Sequence, residues 1–291
     1  MQEKHCLLIK TASEIALKSN YVRQFFTKKL IQSIKFALKK NNIKAEKIIR
    51  GGGRLYLFCS NPKKAQKILL NVSGIHAIAL AECNKGKEYS EIENSLAKFA
   101  KPLLKKGQTF ALDVNVSNNK AFSARDLERR LGAAIQKEIP GLTVKLKGPE
   151  KEISIEVRTK DFFFYLGQKQ GLGGLPLGVE GNVAFFFSGK KDELLAAFLL
   201  MHRGCNIFPI VKKKTPALQK HIHKLVKFNN CRKFILTGEK NLKSLLSERR
   251  IQAIATSDCK TDSKSLSSYK SFDSKQELLV LRPLLLCPKE K

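Results

Sequence analysis

Acidic residues are scarce in this chain of 291 residues. It has 25 acidic residues against 55 basic ones, which gives a formal net charge of +30. Its apolar share of 43% and its charged share of 27% are ordinary for a globular protein and argue against global disorder. Because so few acids balance the bases, the composition favours a polyanionic partner.

Long hydrophobic runs are also missing. A membrane-spanning helix needs roughly 18 apolar residues in succession, whereas the longest uninterrupted run here, residues 194–201, has the length of a core helix. The apolar stretch within the first ten residues is too short for a secretory signal. We therefore expect a soluble, cytoplasmic protein without a membrane partner.

Closely paired cysteines are absent as well. The seven cysteines are widely scattered, at Cys6, Cys59, Cys83, Cys205, Cys231, Cys259 and Cys287. Their spacing matches neither a zinc site nor a Cys-x-x-Cys redox pair, and the five histidines supply no neighbouring ligands. We expect no metal site, and the pattern favours a reducing compartment in which cysteines serve as small core residues.

The basic excess is mostly lysine and is concentrated near the start. The chain has 43 lysines and 12 arginines, and residues 1–70 carry 16 bases against 3 acids. Lysine meets phosphate as a hydrated point charge, whereas reading a base edge favours arginine. The sequence therefore predicts nucleic-acid binding through the phosphate backbone, weakened by salt. The alternative is a lysine-rich proteome in which these side chains only solvate the surface.

The apolar pattern predicts mixed α/β and α+β structure with helices on one face of small sheets. A strand at residues 5–10 precedes a helix at residues 21–40. The apolar stripe predicted for that helix comprises Phe25, Phe26, Leu30, Ile31, Ile34, Phe36 and Leu38. Further helices are predicted at 62–70, 89–104, 124–138 and 194–203, and further strands at 43–49, 54–59, 110–116, 142–146, 153–157, 162–166, 182–187 and 278–281. The Ser/Lys-rich segment 257–275 is predicted to be mobile.

Several separated motifs resemble the tRNA 4-thiouridine synthetase (tRNA sulfurtransferase) family, in the same order along the chain. The resemblance is carried by Ser13-Glu14-Ile15-Ala16-Leu17-Lys18 with Arg23 and Phe26, by Gly53-Arg54-Leu55-Tyr56-Leu57, by Phe122, Asp126, Glu128-Arg129 and Gly132, by the Gly-rich joint from Gly171 to Gly178, by Ser188-Gly189 to Asp192, and by Leu281-Arg282-Pro283-Leu284. Together these matches extend over nearly the whole chain.

The resemblance implies three domains and a linker. These are an N-terminal ferredoxin-like domain at residues 1–76, a THUMP RNA-binding domain at 77–168, a Gly-rich linker at 169–178 and a shortened PP-loop (adenine nucleotide alpha hydrolase-like) parallel-sheet domain at 179–291. In that family the THUMP domain docks on the acceptor end of tRNA. The PP-loop domain adenylates a uridine with ATP, and a cysteine delivers sulfur.

The turn that should bind pyrophosphate departs from the family pattern. A PP-loop needs small residues so that successive backbone N–H groups surround the anion, but Lys190 replaces the second glycine and Glu193 the closing serine. A carboxylate at the helix N-terminus competes with a bound anion for the same dipole. The family's sulfur-bearing cysteine lies beyond the matched region, and neither Cys259 nor Cys287 matches it.

We therefore predict a tRNA-binding protein that docks the acceptor region and whose own ATP-pyrophosphatase site has decayed. No catalytic residue can be assigned. The predicted phosphate contacts are Lys18, Arg23, Lys28, Lys29, Arg54, Lys120, Arg125, Arg129 and Arg130. If the PP-loop still works, ATP and Mg²⁺ would be its cofactors, bound near Ser188, Gly189, Lys190 and Asp192.

Two alternatives stay open at the level of sequence. One is an active ATP-dependent sulfurtransferase that makes 4-thiouridine with sulfur supplied by another protein. The other is a general RNA-binding or ribosome-associated basic protein. The expected partners are the acceptor end of tRNA and a separate protein that donates sulfur or performs the catalysis.

Overall fold

A computed structural model describes residues 4–86, 88–117, 121–213, 215–230 and 234–285. Lys120, predicted to contact phosphate, and Cys231 and Cys287 lie outside the described residues. Within these ranges, no helix combines the length and the apolar character that crossing a bilayer requires.

The described chain alternates strands and helices. The strands are β1 (Lys4–Thr11), β2 (Ala45–Gly51), β3 (Arg54–Cys59), β4 (Ile75–Lys85), β5 (Thr109–Val116), β6 (Thr143–Val144), β7 (Lys151–Val157), β8 (Asp161–Leu166), β9 (Lys169–Gly173), β10 (Asn182–Phe187), β11 (Asn206–Val211), β12 (Thr237–Gly238), β13 (Ala253–Ala255) and β14 (Leu279–Leu281). The helices are α1 (Ser13–Ala16), α2 (Asn20–Lys40), α3 (Pro62–Leu69), α4 (Tyr89–Ala100), α5 (Ala124–Glu138), α6 (Asp192–His202), α7 (Pro216–Val226), α8 (Leu242–Glu248) and α9 (Ser263–Asp273).

The elements form two compact units that interleave along the sequence. The first unit comprises the residues up to Thr11, Ile43–Leu70 and Ala77–Gln170. The second comprises Ala12–Asn42, Asn71–His76 and the residues from Gly171 onward. Helices α1 and α2 therefore belong with the C-terminal sheet, although they stand near the start of the chain.

The first unit is built on one sheet in the order β2-β3-β1-β4-β8-β7-β5-β6. Its strand pairs include antiparallel β1 and β3, with Leu8 opposite Tyr56, and parallel β5 and β7. The rings of Tyr56 on β3 and Phe163 on β8 stack at 4.4 Å between centroids, although two strands separate β3 from β8. Since neighbouring strands lie about 4.8 Å apart, this contact indicates that the sheet curves toward the face that carries the two rings.

Local sequence signals explain the helices of this unit. Ser123 begins α5 by accepting a hydrogen bond from the backbone N–H of Asp126 at 3.1 Å. Leu127, Leu131 and Ile135 then recur at every fourth position, so they lie on one face of α5 and are buried. That face packs into a core shared with α4 and with strands β5, β7 and β8.

The second unit contains a parallel sheet in the order β12-β11-β10-β13-β14, with a helix in each crossover. Its central strand β10 pairs with β11 through Val183 and Ile207, and with β13 through Ala184 and Ile254. The adjacent Ala184 and Phe185 point to opposite faces of β10 and are both fully buried, in separate core clusters, so the strand is covered on both faces and its apolar run is continuous. The predicted mixed fold, with two α/β modules ahead of a parallel-sheet domain, is confirmed.

The helix predicted at residues 21–40 is present as α2, but its predicted apolar stripe is wrong at Phe25. Phe26, Leu30 and Ile34 are buried, whereas Phe25 is 43% exposed. Phe25 lies one helical turn after Tyr21 on the same side of α2, and both side chains are exposed to solvent.

The mobile segment predicted at residues 257–275 contains helix α9 instead. Asp262 caps this helix by accepting from the backbone N–H of Ser265 at 2.9 Å. The guanidinium of Arg282 holds the other end, donating to both oxygens of Asp273 at 2.7 and 2.9 Å. Composition alone missed α9 because its anchoring arginine stands nine residues further along the chain.

Candidate functional site

The predicted nucleotide-binding turn lies at the carboxyl edge of the parallel sheet. From β10 the chain continues to β11 on one side, while β13 lies on the other side. Open α/β sheets bind ligands in the crevice at such a switch point. Residues 188–193 follow β10 and residues 256–259 follow β13, so both segments border this crevice.

The carboxylate of Glu193 occupies the hydrogen-bond donors of this turn. One oxygen accepts from the backbone N–H of Ser188 at 2.7 Å and from its hydroxyl at 2.6 Å. The other accepts from the backbone N–H of Gly189 at 2.9 Å. Glu193 itself is only 2% exposed. These two backbone N–H groups therefore already bind an anion that belongs to the protein.

The remaining charged residues of the turn point to solvent. Lys190, Lys191 and Asp192 are exposed. The thiol of Cys259, after β13, donates to the Asp192 carboxylate across 3.9 Å. The turn thus exposes two cations beside one carboxylate that contacts a half-buried cysteine.

Arg282, which follows β14, is paired with two carboxylates of the same unit. Arg282 is 8% exposed and donates from Nε to Asp258 at 3.1 Å, in addition to its paired contacts with Asp273. Thr256 donates its hydroxyl to the same Asp258 carboxylate at 2.7 Å. Arg282 therefore anchors α9 and the loop after β13. No cluster of three or more potential metal-ligating side chains occurs in the described ranges.

Four of the predicted phosphate contacts lie on or beside α2, within the second unit. Lys18, Arg23 and Lys28 are exposed, and Lys29 is half-buried with its Nζ 5.7 Å from the centroid of the Phe25 ring. Arg23 also donates to the side chain of Asn20. We call Lys18, Arg23, Lys28 and Lys29 the α2 cations.

Apolar side chains beside the α2 cations were missed by the sequence reasoning. Leu17 is 86% exposed, Tyr21 is 84% exposed and Phe25 is 43% exposed. Tyr21 and Phe25 are four residues apart on α2 and so lie on one side of it, whereas Leu17 lies between α1 and α2. Aromatic rings interleaved with cations provide stacking surfaces for unpaired bases, so this spacing was the available signal.

Three further predicted contacts lie on α5 in the first unit. Arg125, Arg129 and Arg130 are exposed, and Arg129 has 82% of its side chain accessible. Asp126 pairs with Arg129 at 3.2 Å and with Arg130 at 3.4 Å, which orders both guanidinium groups. Arg130 also lies over the ring of Tyr89, 3.8 Å from its centroid. The helix therefore presents three exposed arginines, of which Arg129 and Arg130 are held by contacts within the first unit.

Arg54 differs from the other predicted contacts because its charge is already paired. Its Nε lies 2.8 Å from an oxygen of Glu156, and the two side chains are 19% and 1% exposed. Burial raises the pKa of Glu156, and the attraction of Arg54 and then of Lys10 offsets only part of that effect. The guanidinium of Arg54 thus stabilises a buried carboxylate on β7.

Two domain families match the chain. The ThiI ferredoxin-like domain matches residues 6–79, and the THUMP domain matches residues 86–166.

Curated proteins with related sequences are tRNA sulfurtransferases. The chain is 33% identical over 205 residues to the tRNA sulfurtransferase of Blochmanniella pennsylvanica, covering 69% of this chain and 42% of that protein. It is 36% identical over 210 residues to the probable tRNA sulfurtransferase of Caldanaerobacter subterraneus subsp. tengcongensis, covering 70% and 52%. The chain therefore spans about half the length of the curated relatives it matches.

Solved structures share the fold over nearly the whole chain. PH1313 from Pyrococcus horikoshii Ot3 superposes with a TM-score of 0.86 at 22% identity, covering 98% of this chain and 96% of that one. A 4-thiouridine synthetase solved in complex with RNA and bound ATP gives a TM-score of 0.76 at 19% identity, covering 97% and 81%. The resemblance seen in the sequence motifs is confirmed: this chain carries a ThiI ferredoxin-like domain and a THUMP domain and is related to the tRNA sulfurtransferases.

Proposed function

We propose that this protein binds the acceptor region of tRNA for thio-modification and that its own PP-loop turn no longer activates ATP. The relatives named tRNA sulfurtransferases and the THUMP domain support the first part. The loss of ATP activation is supported by one observation. The Glu193 carboxylate accepts the hydrogen bonds of the Ser188 and Gly189 N–H groups, which a pyrophosphate would need.

Phosphate contacts in this proposal come from two separate rows of cations. One row is formed by the α2 cations and the other by the α5 arginines Arg125, Arg129 and Arg130, all of which have accessible charge. Lys120 stays a prediction. Arg54, on β3, is proposed to act through its ion pair with Glu156, which belongs to strand β7 of the THUMP domain, and not as a phosphate contact.

ATP and Mg²⁺ do not fit the turn as it stands. A triphosphate would have to displace a carboxylate that is 2% exposed and makes three hydrogen bonds, and its own negative charge would face the displaced Glu193. The exposed Lys190 and Lys191 can attract an anion, but they do not replace the two backbone donors.

The domain division proposed for this function is the one predicted from the sequence. It has a ferredoxin-like domain at 1–76, a THUMP domain at 77–168, a Gly-rich linker at 169–178 and a PP-loop-like domain at 179–291. The matched ranges 6–79 and 86–166 support the first two domains. A separate protein would supply the activating chemistry and the sulfur.

The test combines tRNA binding with an assay for pyrophosphate release. We expect the purified full chain to bind tRNA more tightly than an unstructured RNA of equal length, and to release no pyrophosphate from ATP at saturating tRNA. Glu138→Gln, an exposed change on α5, is the control for protein handling.

The outcomes separate the three functions. Release of pyrophosphate that depends on tRNA identifies an active sulfurtransferase that uses Ser188, Gly189 and Asp192 with sulfur from another protein. Equal affinity for folded tRNA and unstructured RNA identifies a general RNA-binding protein. Loss of 4-thiouridine from cellular tRNA on deletion of the gene, with no pyrophosphate release by the pure protein, supports the proposed role.

A further inference from the structure

A cleft of about 450 Å³ opens at the amino-terminal edge of the parallel sheet, within the second unit. This is the opposite edge from the turn that contains Glu193. Lys29 and Ser33 of α2 form one wall, and Arg249 and Arg250, which follow α8, form another. We call it the amino-edge cleft.

The floor of the amino-edge cleft is held by side-chain amides at the starts of β10 and β11. Asn206 donates its Nδ2 to the side-chain oxygen of Asn182 at 2.8 Å. Asn182 donates in turn to the backbone carbonyl of Arg249 at 2.7 Å, and its own backbone N–H donates to Gln252 at 3.1 Å. These bonds fix the backbone from which Arg249 and Arg250 extend.

Positive charge dominates the amino-edge cleft. Lys29, Arg249 and Arg250 line it together with a single acid, Glu248, whose carboxylate accepts from the hydroxyl of Ser244. None of the three cations forms an ion pair with another residue in the part of the chain that is described. Unpaired guanidinium groups on a fixed backbone suit phosphate oxygens, which they can meet with two parallel hydrogen bonds.

Arg250 stands in a backbone conformation that few side chains adopt. Its φ is +46°, in the left-handed region, at the position that ends α8. Glycine or asparagine is the usual residue at such a helix end. An arginine at this position is less favourable for the backbone, yet it adds a second guanidinium to the wall of the cleft.

We propose that the amino-edge cleft binds a backbone phosphate of the RNA, so that the PP-loop-like domain contributes to RNA binding through the edge opposite its nucleotide turn. This proposal rests on the proposed function. Continuity supports RNA over a free nucleotide, since Lys29 belongs both to the α2 cations and to the cleft wall. A strand already lying along α2 would meet Arg249 and Arg250 on the same surface of the unit.

The experiment compares three full-length variants that each lose two positive charges. Arg249→Gln with Arg250→Asn empties the cleft of its arginines, and asparagine keeps the left-handed backbone accessible. Lys243→Gln with Lys270→Gln is the matched control, because both lysines are exposed and neither lines the cleft. Lys18→Gln with Lys28→Gln tests the proposed function independently. Thermal unfolding confirms that each variant is folded.

tRNA affinity is measured between about 50 and 200 mM salt. Each lost phosphate contact makes the negative slope of log K against log salt less steep by about 0.7 to 0.9, so we expect the cleft variant to lose about one to two units of slope. Its affinity at low salt should fall at least about fivefold, and the control should change less than half as much. Equal responses of the cleft variant and the control would overturn the proposal.

The remaining outcomes tell the two proposals apart. If the α2 variant weakens binding and the cleft variant behaves like the control, the tRNA-binding function stands and the cleft proposal fails. If neither variant differs from the control, the tRNA-binding function fails as well. Calorimetry with AMP and with inorganic phosphate tests whether the cleft binds a free anion instead of RNA. If either binds tightly to the unchanged protein and not to the cleft variant, the cleft is a site for a free anion and the RNA proposal is overturned.

Discussion

Glu193 accepts a hydrogen bond from the backbone N–H of Gly189 at 2.9 Å, so a side chain from the first turn of a helix reaches back to the loop that precedes it. This contact occupies a donor that glycine-rich phosphate loops present to their ligands. The φ of Gly189 is +102°, a conformation that residues with a Cβ rarely adopt. The turn therefore keeps the backbone shape of an anion-binding loop while its anion is supplied by the chain itself.

Replacement of Glu193 by glutamine should destabilise the second unit. Both carboxylate oxygens accept hydrogen bonds, whereas a glutamine side chain has one oxygen and would turn an NH₂ group toward an N–H donor. We expect a loss of about 2 kcal/mol, as for a buried hydrogen bond to a charged group. Urea unfolding measures it, with Glu138→Gln as the exposed control. A loss below about 0.5 kcal/mol would contradict the role given to Glu193.

Restoring small residues in the turn should restore anion binding. The double variant Lys190→Gly with Glu193→Ser removes the internal carboxylate and the side chain beside the loop, leaving the Ser188 and Gly189 donors available. We expect calorimetry to detect Mg²⁺–ATP or pyrophosphate binding to this variant and at least about tenfold weaker binding to the unchanged protein. Equal binding by both would refute the view that Glu193 blocks the turn.

The buried Glu156 should make stability depend on pH. Because its pKa is raised in the folded state, the folded protein binds the proton more tightly than the unfolded chain does. Its contribution is therefore fully favourable below the ordinary glutamate pKa and is lost as the pH rises through the raised value. The difference in unfolding free energy between the unchanged protein and Glu156→Gln should fall as the pH rises from 4 to 7. Urea unfolding at each pH measures it, and a difference that grows over that range would contradict the prediction.

The exposed ring of Tyr21 should contribute to RNA binding by stacking. Base stacking on an aromatic side chain is worth about 1–3 kcal/mol, so Tyr21→Ala should weaken binding of tRNA with unpaired ends by about 5-fold to 150-fold. Tyr21→Phe keeps the ring and serves as the matched control with little expected effect. Fluorescence anisotropy measures both affinities. Similar losses in the two variants would assign the effect to the hydroxyl instead of the ring.

Regular elements with strong periodicity were predictable from the sequence. Helix α5 was recognisable because Ser123 caps it and its buried Leu127, Leu131 and Ile135 recur at every fourth residue. Strand β10 was recognisable as a continuous apolar run. The prediction failed at Phe25, which lies on the exposed side of α2 with Tyr21, and over residues 257–275, where α9 depends on the distant Arg282.

The candidate site was predictable in its residues but not in its contacts. Lys190 and Glu193 were recognisable as departures from a small-residue loop, and Lys18, Arg23 and Lys28 as cations on or just before a basic helix. No pattern in the sequence paired Arg54 with Glu156, because these residues stand on strands a hundred residues apart. The sequence does not predict the amino-edge cleft for the same reason, since α2, β10, β11 and the end of α8 meet only in the folded chain.

Sequence alone determined the net charge of +30, the family motifs and the alternation of strands and helices, because composition and local periodicity act over a few residues at a time. Tertiary structure decided which of those charges remain available. Folding buried Glu156 against Arg54 and brought the Glu193 carboxylate to the Ser188 and Gly189 donors. It also placed Arg249 and Arg250 at a cleft, without an ion-pair partner among the described residues. Electrostatic attraction depends on distance and burial, and both are properties of the folded chain.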